Sequence, residues 1–218
     1  MDIYHVFNRG VEKRRLFMDG RDYARFVHDL YEFNDVKPAD NVRHHQRNTD
    51  LRNPYFEREK IVDLHGWCLM KNHYHLLVSE RVEGGLTLFL RKLNVGYANY
   101  FNERYKRSGT LFQGRTKKKL IDEDAYFLYI LHYIHLNPLD YFNDSRSWRN
   151  GHIKSLAEAI AHLKNYKWSS YLDYCGERNF PSVIATDLFA DSYGNVEKKT
   201  KEFLNDMNLK KLSPYFLE

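Results

Sequence analysis

Leu64-His65-Gly66-Trp67-Cys68-Leu69-Met70-Lys71-Asn72-His73-Tyr74-His75-Leu76-Leu77-Val78 is the stretch on which the fold turns. Side chains alternate faces along a β-strand, so residues two apart point the same way. His73 and His75 therefore sit side by side, with Tyr74 on the opposite face. Leu76, Leu77 and Val78 continue the strand as a buried apolar run. Two neutral imidazoles on one face suit a divalent metal, because each offers a nitrogen lone pair. The plainer reading is two histidines on a wet sheet face, and the rest of the chain has to decide between them. Upstream, residues 61–69 read as a second strand. Met70, Lys71 and Asn72 make a tight connection, so the two strands form a hairpin.

Composition bounds the classes available. The chain has 218 residues, 43% hydrophobic, enough for one large domain or a domain with an appendage. No apolar run approaches the length that spans a bilayer, and no secretory signal opens the chain, so no membrane partner and a cytoplasmic location are expected. Cys68 and Cys175 have neither metal-type nor disulfide-framework spacing. The net charge is +5 with a pI near 9.0. Residues 140–218 carry 11 basic and 11 acidic residues, so the whole excess falls in residues 1–139. A basic body with 17 Tyr and 14 Phe suits single-stranded nucleic acid, where cations hold phosphates and rings stack on bases. An aromatic core under a solvated basic surface would give the same numbers.

Residues 3–8 read as the first strand, followed by a turn at Arg9-Gly10 and a cluster containing Lys13, Arg14 and Arg15. Tyr23, Phe26, Val27, Leu30 and Tyr31 recur at helical spacing, with Asp19 or Asp22 as the cap. Residues 35–58 form a long polar loop in which His44-His45 has no regular face to fix it. A long amphipathic helix follows Gly84-Gly85, with Leu86, Phe89, Leu90, Leu93, Tyr97, Tyr100 and Phe101 on its apolar side. Residues 110–121 read as a strand carrying Arg115, Lys117, Lys118 and Lys119. Such a row serves either phosphate contact or protection of a sheet edge. Asp122 or Asp124 caps the next helix, which ends at Asn137-Pro138. On it Tyr133 and Asn137 share a face one turn apart, with Tyr126 and Tyr129 near the same stripe. His132 and His135 form another stripe, and a four-histidine zinc site with His73 and His75 is conceivable. Ser155 caps a short helix, Trp168-Ser169-Ser170-Tyr171 packs back on the body, and a last helix covers about 196–208. The order β-α-β-β-α-β-α predicts an α+β fold, ferredoxin-like, with an antiparallel sheet and helices on one face. The expected division is residues 1–139 and a helical extension, residues 140–218.

With these elements placed, the chain resembles the single-tyrosine HUH transposases of the IS200/IS605 type, most nearly the REP-associated tyrosine transposases. The resemblance rests on Tyr4-His5-Val6-Phe7-Asn8-Arg9-Gly10, Met70-Lys71-Asn72-His73-Tyr74-His75-Leu76-Leu77, Leu111-Phe112-Gln113-Gly114-Arg115, Tyr133-Ile134-His135-Leu136-Asn137-Pro138 and Trp168-Ser169-Ser170-Tyr171. It covers nearly all of residues 1–175. It implies that His73, His75 and Asn137 hold Mg²⁺ or Mn²⁺, a donor set of nitrogen and hard oxygen that suits those ions. It implies Tyr133 as the nucleophile that forms a 5′-phosphotyrosine on single-stranded DNA bearing hairpins. Arg14, Arg15, Lys71, Arg115, Lys117, Lys118 and Lys119 are the expected DNA contacts. Tyr129 is a second candidate phenol. Some relatives share active sites across a homodimer and others act as monomers, and the sequence supports either. Three other readings carry their own signatures. A phosphoesterase using activated water would make no covalent adduct. A catalytically inactive hairpin-DNA-binding descendant would bind without nicking. A zinc-stabilised structural domain would unfold with chelator.

Overall fold

The computed structural model describes residues 2–40, 42, 50–51, 58–142, 147–150 and 153–205. Most of the long polar loop, including His44-His45, lies outside them. The body follows the expected order: β1 (Ile3–Arg9), α1 (Gly20–Glu32), β2 (Val62–Met70), β3 (His73–Glu80), α2 (Gly85–Arg104), β4 (Lys117–Leu120) and α3 (Asp124–Leu136). The four strands form one antiparallel sheet in the order β2-β3-β1-β4. The α+β class and the sheet are as the sequence predicts. Met70 pairs with His73, so the hairpin turns on Lys71 and Asn72 alone.

Strand alternation divides the sheet between two cores. Val6, Leu64, Leu69, Tyr74, Leu76 and Val78 face α1 and α2, meeting Phe26, Leu30, Phe89, Leu93 and Tyr97. Those α2 aromatics are core, not stacking platforms. The other face carries Ile3, Cys68, Met70 and Leu77 and is also apolar, so it too must be covered. One-sided packing therefore describes α1 and α2, and α3 takes the opposite face. Leu131 of α3 approaches the sheet at Gly66, where an added Cβ would lie 2.5 Å from the leucine methyl. The absence of a side chain at Gly66 is what lets α3 sit this close.

The caps are local chemistry. Asp19 caps α1, accepting from the amides of Arg21 and Asp22. Asp22 is buried in the first turn and instead accepts from Arg104 at the end of α2. Neither Asp122 nor Asp124 caps α3. Glu123 occupies that position without a side-chain cap bond, and Asp124 is already helical. The strand expected over residues 110–121 shrinks to Lys117–Leu120. Gly114, with φ of +67°, interrupts it. Residues before it bond to the end of β1 instead, Gln113 N–H donating to Arg9 O at 2.8 Å.

Beyond α3 the chain passes through a 3-10 turn (Asn137–Tyr141) and a second one (Ser147–Asn150). It then forms α4 (Leu156–Asn165), α5 (Tyr171–Tyr174), α6 (Asp187–Tyr193) and α7 (Val196–Asn205). Ser155 caps α4 by accepting from the Glu158 amide, as read from sequence. Residues 168–170 lie along the outer edge of β2. Leu69 N–H donates to Trp168 O at 2.9 Å and Ser170 N–H to Trp67 O at 3.0 Å. The segment closes one sheet edge, and β4 is the other.

The four-histidine zinc site is not formed. Among the described residues no three His, Cys, Asp or Glu side chains are grouped to hold a metal. His135 bonds Ser170 Oγ at 2.8 Å, and His132 stacks on Phe203 with ring centres 4.7 Å apart. Burial pushes both imidazoles down to about 3, with Lys199 adding to the effect at His132 and His132 at His135. Both rings are neutral when folded and bind protons near 6.5 when unfolded. Their stabilising effect is complete above pH 6.5 and declines as pH falls from 6.5 toward 3. Unfolding free energies from urea titrations at pH 7 and pH 5.5 should differ by about 1 kcal/mol per ring. The difference should shrink in His132→Gln and His135→Gln.

Candidate active site

The His-bearing face of the sheet and the inner stripe of α3 enclose one aromatic, polar cluster. Tyr126, Ile130, Tyr133 and Asn137 recur at helical spacing, so one stripe of α3 and its following turn looks down on the strands. The Tyr133 ring centre lies 5.6 Å from that of His75 and 5.7 Å from that of His5, both edge-on. Tyr133 is buried, His75 fully so and His73 half so. The His73 and His75 rings lie 5.0 Å apart and nearly perpendicular, as strand alternation requires. The strand and the helix thus meet across 58 residues of chain.

Each imidazole has a near partner at Nδ1. His73 Nδ1 lies 2.8 Å from the carboxamide oxygen of Asn72. That oxygen only accepts, so Nδ1 carries the proton and the lone pair resides on Nε2. His75 Nδ1 lies 3.0 Å from His5 Nε2, and His5 Nδ1 lies 2.9 Å from the Tyr126 hydroxyl. A partner at Nδ1 fixes the direction in which Nε2 points, which is how metal-binding histidines are commonly oriented. The pair fits a divalent ion on that ground.

Asn137 is fully buried and begins the turn after α3. Its amide nitrogen donates to Tyr133 O at 2.9 Å, one turn back. Its carboxamide oxygen accepts from Arg149 Nη2 at 2.8 Å. Arg149 also pairs with Asp140 at 3.1 Å and lies over the Tyr133 ring, 5.3 Å from its centre. Asp140 in turn accepts from the Trp148 indole at 2.7 Å. The third expected ligand therefore already accepts from a guanidinium through one of its two lone pairs.

The expected DNA contacts separate by face and by end. Arg14 and Arg15 follow the turn after β1, which is tied to the hairpin turn: Leu16 N–H donates to Lys71 O at 2.9 Å and Gly10 N–H to Asn72 O at 2.8 Å. An added Cβ at Gly10 would lie 2.3 Å from Arg14 O, so glycine lets this turn close. Arg14, Arg15 and Lys71 are exposed at the His73 end of the sheet. Arg115 is exposed beside the same end, two residues beyond Gln113, whose side chain accepts from Arg9 at 2.6 Å. In β4, Lys117 pairs with Phe7, Lys118 with Val6 and Lys119 with His5. Lys117 and Lys119 thus share the histidine face, whereas Lys118 lies on the other face, over Tyr4 at 5.7 Å. Tyr129 places its ring 5.5 Å from Phe203 and is partly exposed.

His5 escapes a reading based on local spacing, whereas Tyr126 falls on the Tyr133 stripe as its spacing suggests. His5 stands in β1 between Ile3 and Phe7, a lone histidine on an otherwise apolar face. The available signal is that β1 must lie beside the His73 strand for the fold to close, which brings an inward histidine to the pair.

Residues 45–137 match the family model described as "Transposase IS200 like". Among solved structures, the chain is similar to one described as a REP-associated tyrosine transposase bound to a REP hairpin. The identity is 12% and the TM-score 0.50, with 86% of this chain and 87% of the other covered. At that identity the likeness is one of fold. No curated protein sequence gives a significant match. The matched stretch, less than half of the chain, spans the histidine strand, the Tyr133 helix and Asn137.

Proposed function

We propose that the protein is a metal-dependent single-stranded DNA transposase that cleaves and rejoins hairpin-bearing DNA through a 5′-phosphotyrosine on Tyr133. The observation that carries this reading is the seating of the Tyr133 ring against His75, on a helix that also places Asn137 one turn on. Tyr133 attacks the scissile phosphorus, and the bond to the 3′-oxygen breaks. The products are a phosphotyrosine and a free 3′-hydroxyl. The phosphodiester's energy is retained, so a second 3′-hydroxyl can attack the same phosphorus and restore the strand without ATP. His73 and His75 would hold Mg²⁺ or Mn²⁺, with Asn137 as third ligand through its carboxamide oxygen. When bound, the ion polarises the phosphate and favours the phenolate of a group whose ordinary pKa is about 10. Residues 1–139 supply this chemistry, and the extension supplies Arg149 beside the phenol and the segment 168–170 along β2. Cytoplasmic residence belongs to the same reading. So does a hairpin partner, by analogy with the similar solved structure. A homodimer sharing sites is not required, because one chain brings Tyr133 to its own His75.

A second reading, hairpin binding without cleavage, is favoured by one observation, the guanidinium on the Asn137 oxygen. Labelled hairpin-bearing strands, Mn²⁺ and protein separate the two on a denaturing gel. Cleavage with a protein-linked fragment supports the transposase. Retarded but uncut DNA on a native gel, with no linked fragment, supports the binding protein.

The lysine geometry gives a further expectation. Lys117→Ala and Lys119→Ala should each lower the slope of log affinity against log salt by about 0.7–0.9, one phosphate's worth. Lys118→Ala should change it far less. Equal effects from all three would show that DNA does not follow the histidine face.

A further inference from the structure

The site contains a buried relay that metal ligation alone does not explain. Tyr126 Oη, His5 Nδ1, His5 Nε2 and His75 Nδ1 form an unbroken series, with links of 2.9 Å and 3.0 Å. His5 and His75 are both fully buried, and their rings stack 5.2 Å apart at 21°. With both rings neutral, each imidazole holds one proton, so the series has only two arrangements. In one, Tyr126 donates to His5 Nδ1 and His5 Nε2–H donates to His75 Nδ1. His75 then carries its proton on Nε2, where it cannot bind a metal. In the other, His75 Nδ1–H donates to His5 Nε2 and His5 Nδ1–H donates to the Tyr126 oxygen. His75 Nε2 then presents a lone pair, matching the state that Asn72 imposes on His73.

We infer that His5, backed by Tyr126, is a positioning residue that fixes the tautomer and orientation of His75 and thereby sets the affinity of the histidine pair for a divalent ion. This rests on the metal reading above and names a residue outside the expected ligand set. The energetic argument is one of alternatives. Without His5, His75 loses the acceptor at Nδ1 that favours the ligating tautomer and ring orientation. Outer partners of metal-binding histidines commonly change metal affinity 10–100-fold when removed. A glutamine at position 5 can offer its amide oxygen near the place of Nε2 and accept from His75 Nδ1–H. A phenylalanine fills similar volume and accepts nothing.

The test uses full-length protein and two readouts, neither of them activity. The first is Mn²⁺ affinity, from the electron paramagnetic resonance signal of free Mn²⁺. The second is the His75 tautomer in metal-free protein, from long-range ¹H–¹⁵N correlations. Wild type is expected to bind Mn²⁺ and to hold His75 protonated on Nδ1. In His5→Phe, binding should weaken at least about tenfold and the tautomers should mix. His5→Gln should recover most of the affinity, and Tyr126→Phe should lose a smaller part. Unchanged affinity and tautomer in a folded His5→Phe would overturn the inference and leave the metal reading standing. If wild type itself fails to bind Mn²⁺, the metal reading fails. The tautomer shift between wild type and His5→Phe then still decides whether His5 positions His75. Should His5→Phe not fold, equal affinity in Tyr126→Phe and wild type, with an unshifted tautomer, overturns it instead.

Discussion

Tyr133→Phe is expected to abolish the protein–DNA adduct that survives denaturant and to lower strand cleavage by about 10⁴-fold or more, the scale on which loss of a nucleophile is felt. Hairpin binding and Mn²⁺ affinity should stay near wild type. The separation follows from geometry. The phenol ring is buried edge-on between His5 and His75, and phenylalanine fills the same space. The hydroxyl is the atom lost, so the cost to stability should be within about 1 kcal/mol. A variant that still cleaves at the wild-type rate would point to a metal-activated water. One that is folded yet no longer binds DNA would assign the hydroxyl to recognition.

The largest effect on stability is expected at Asp22, away from the chemistry. Its carboxylate is fully buried and accepts four bonds: from Met18 N–H at 2.7 Å, Arg104 Nη1 at 2.7 Å, Tyr105 Oη at 2.8 Å and Tyr100 Oη at 3.0 Å. These tie the start of α1 to the end of α2, the two helices that cover one sheet face. Asp22→Ala takes from the guanidinium of Arg104 its buried carboxylate partner, leaving it Asp19 at 2.6 Å and the Tyr100 hydroxyl at 2.7 Å, and leaves three further donors to find water. Breaking such a pair from one side costs about 3–5 kcal/mol. The expected result is a urea midpoint lowered accordingly, with an unchanged slope. Because the pair is only partly shielded at Arg104, added salt should weaken wild type slightly and Asp22→Ala hardly at all. A loss below about 1 kcal/mol would mean that water replaces the carboxylate without difficulty.

Much of this site was legible from periodicity. The hairpin, the histidine alternation, the Tyr133 stripe and the Ser155 cap are local patterns, and each follows from a period of 2 or 3.6 or from a capping rule. What local patterns miss is set by distant partners. Lys117, Lys118 and Lys119 read as one patch, but pairing with β1 divides them between two faces. Asn137 reads as an available oxygen, but Arg149 reaches it from the extension. His132 and His135 read as metal ligands beside His73 and His75, but Ser170 and Phe203 hold them elsewhere in the core. His5 reads as one residue of a first strand, and only the β1–β3 register reveals its place beside His75. The strand over residues 110–121 was overdrawn because the left-handed turn at Gly114 outweighs the β pattern around it.

The central claim is that this phenol, at this histidine pair, becomes the covalent link to DNA. Digesting the adduct formed with Mn²⁺ and a hairpin-bearing strand, then sequencing the nucleotide-bearing peptide by mass spectrometry, tests it most directly. The account predicts a phosphodiester to the Tyr133 oxygen at the 5′ end of the cleaved strand. A nucleotide on Tyr129 or any other side chain, or cleaved strands with no peptide attached, would contradict it.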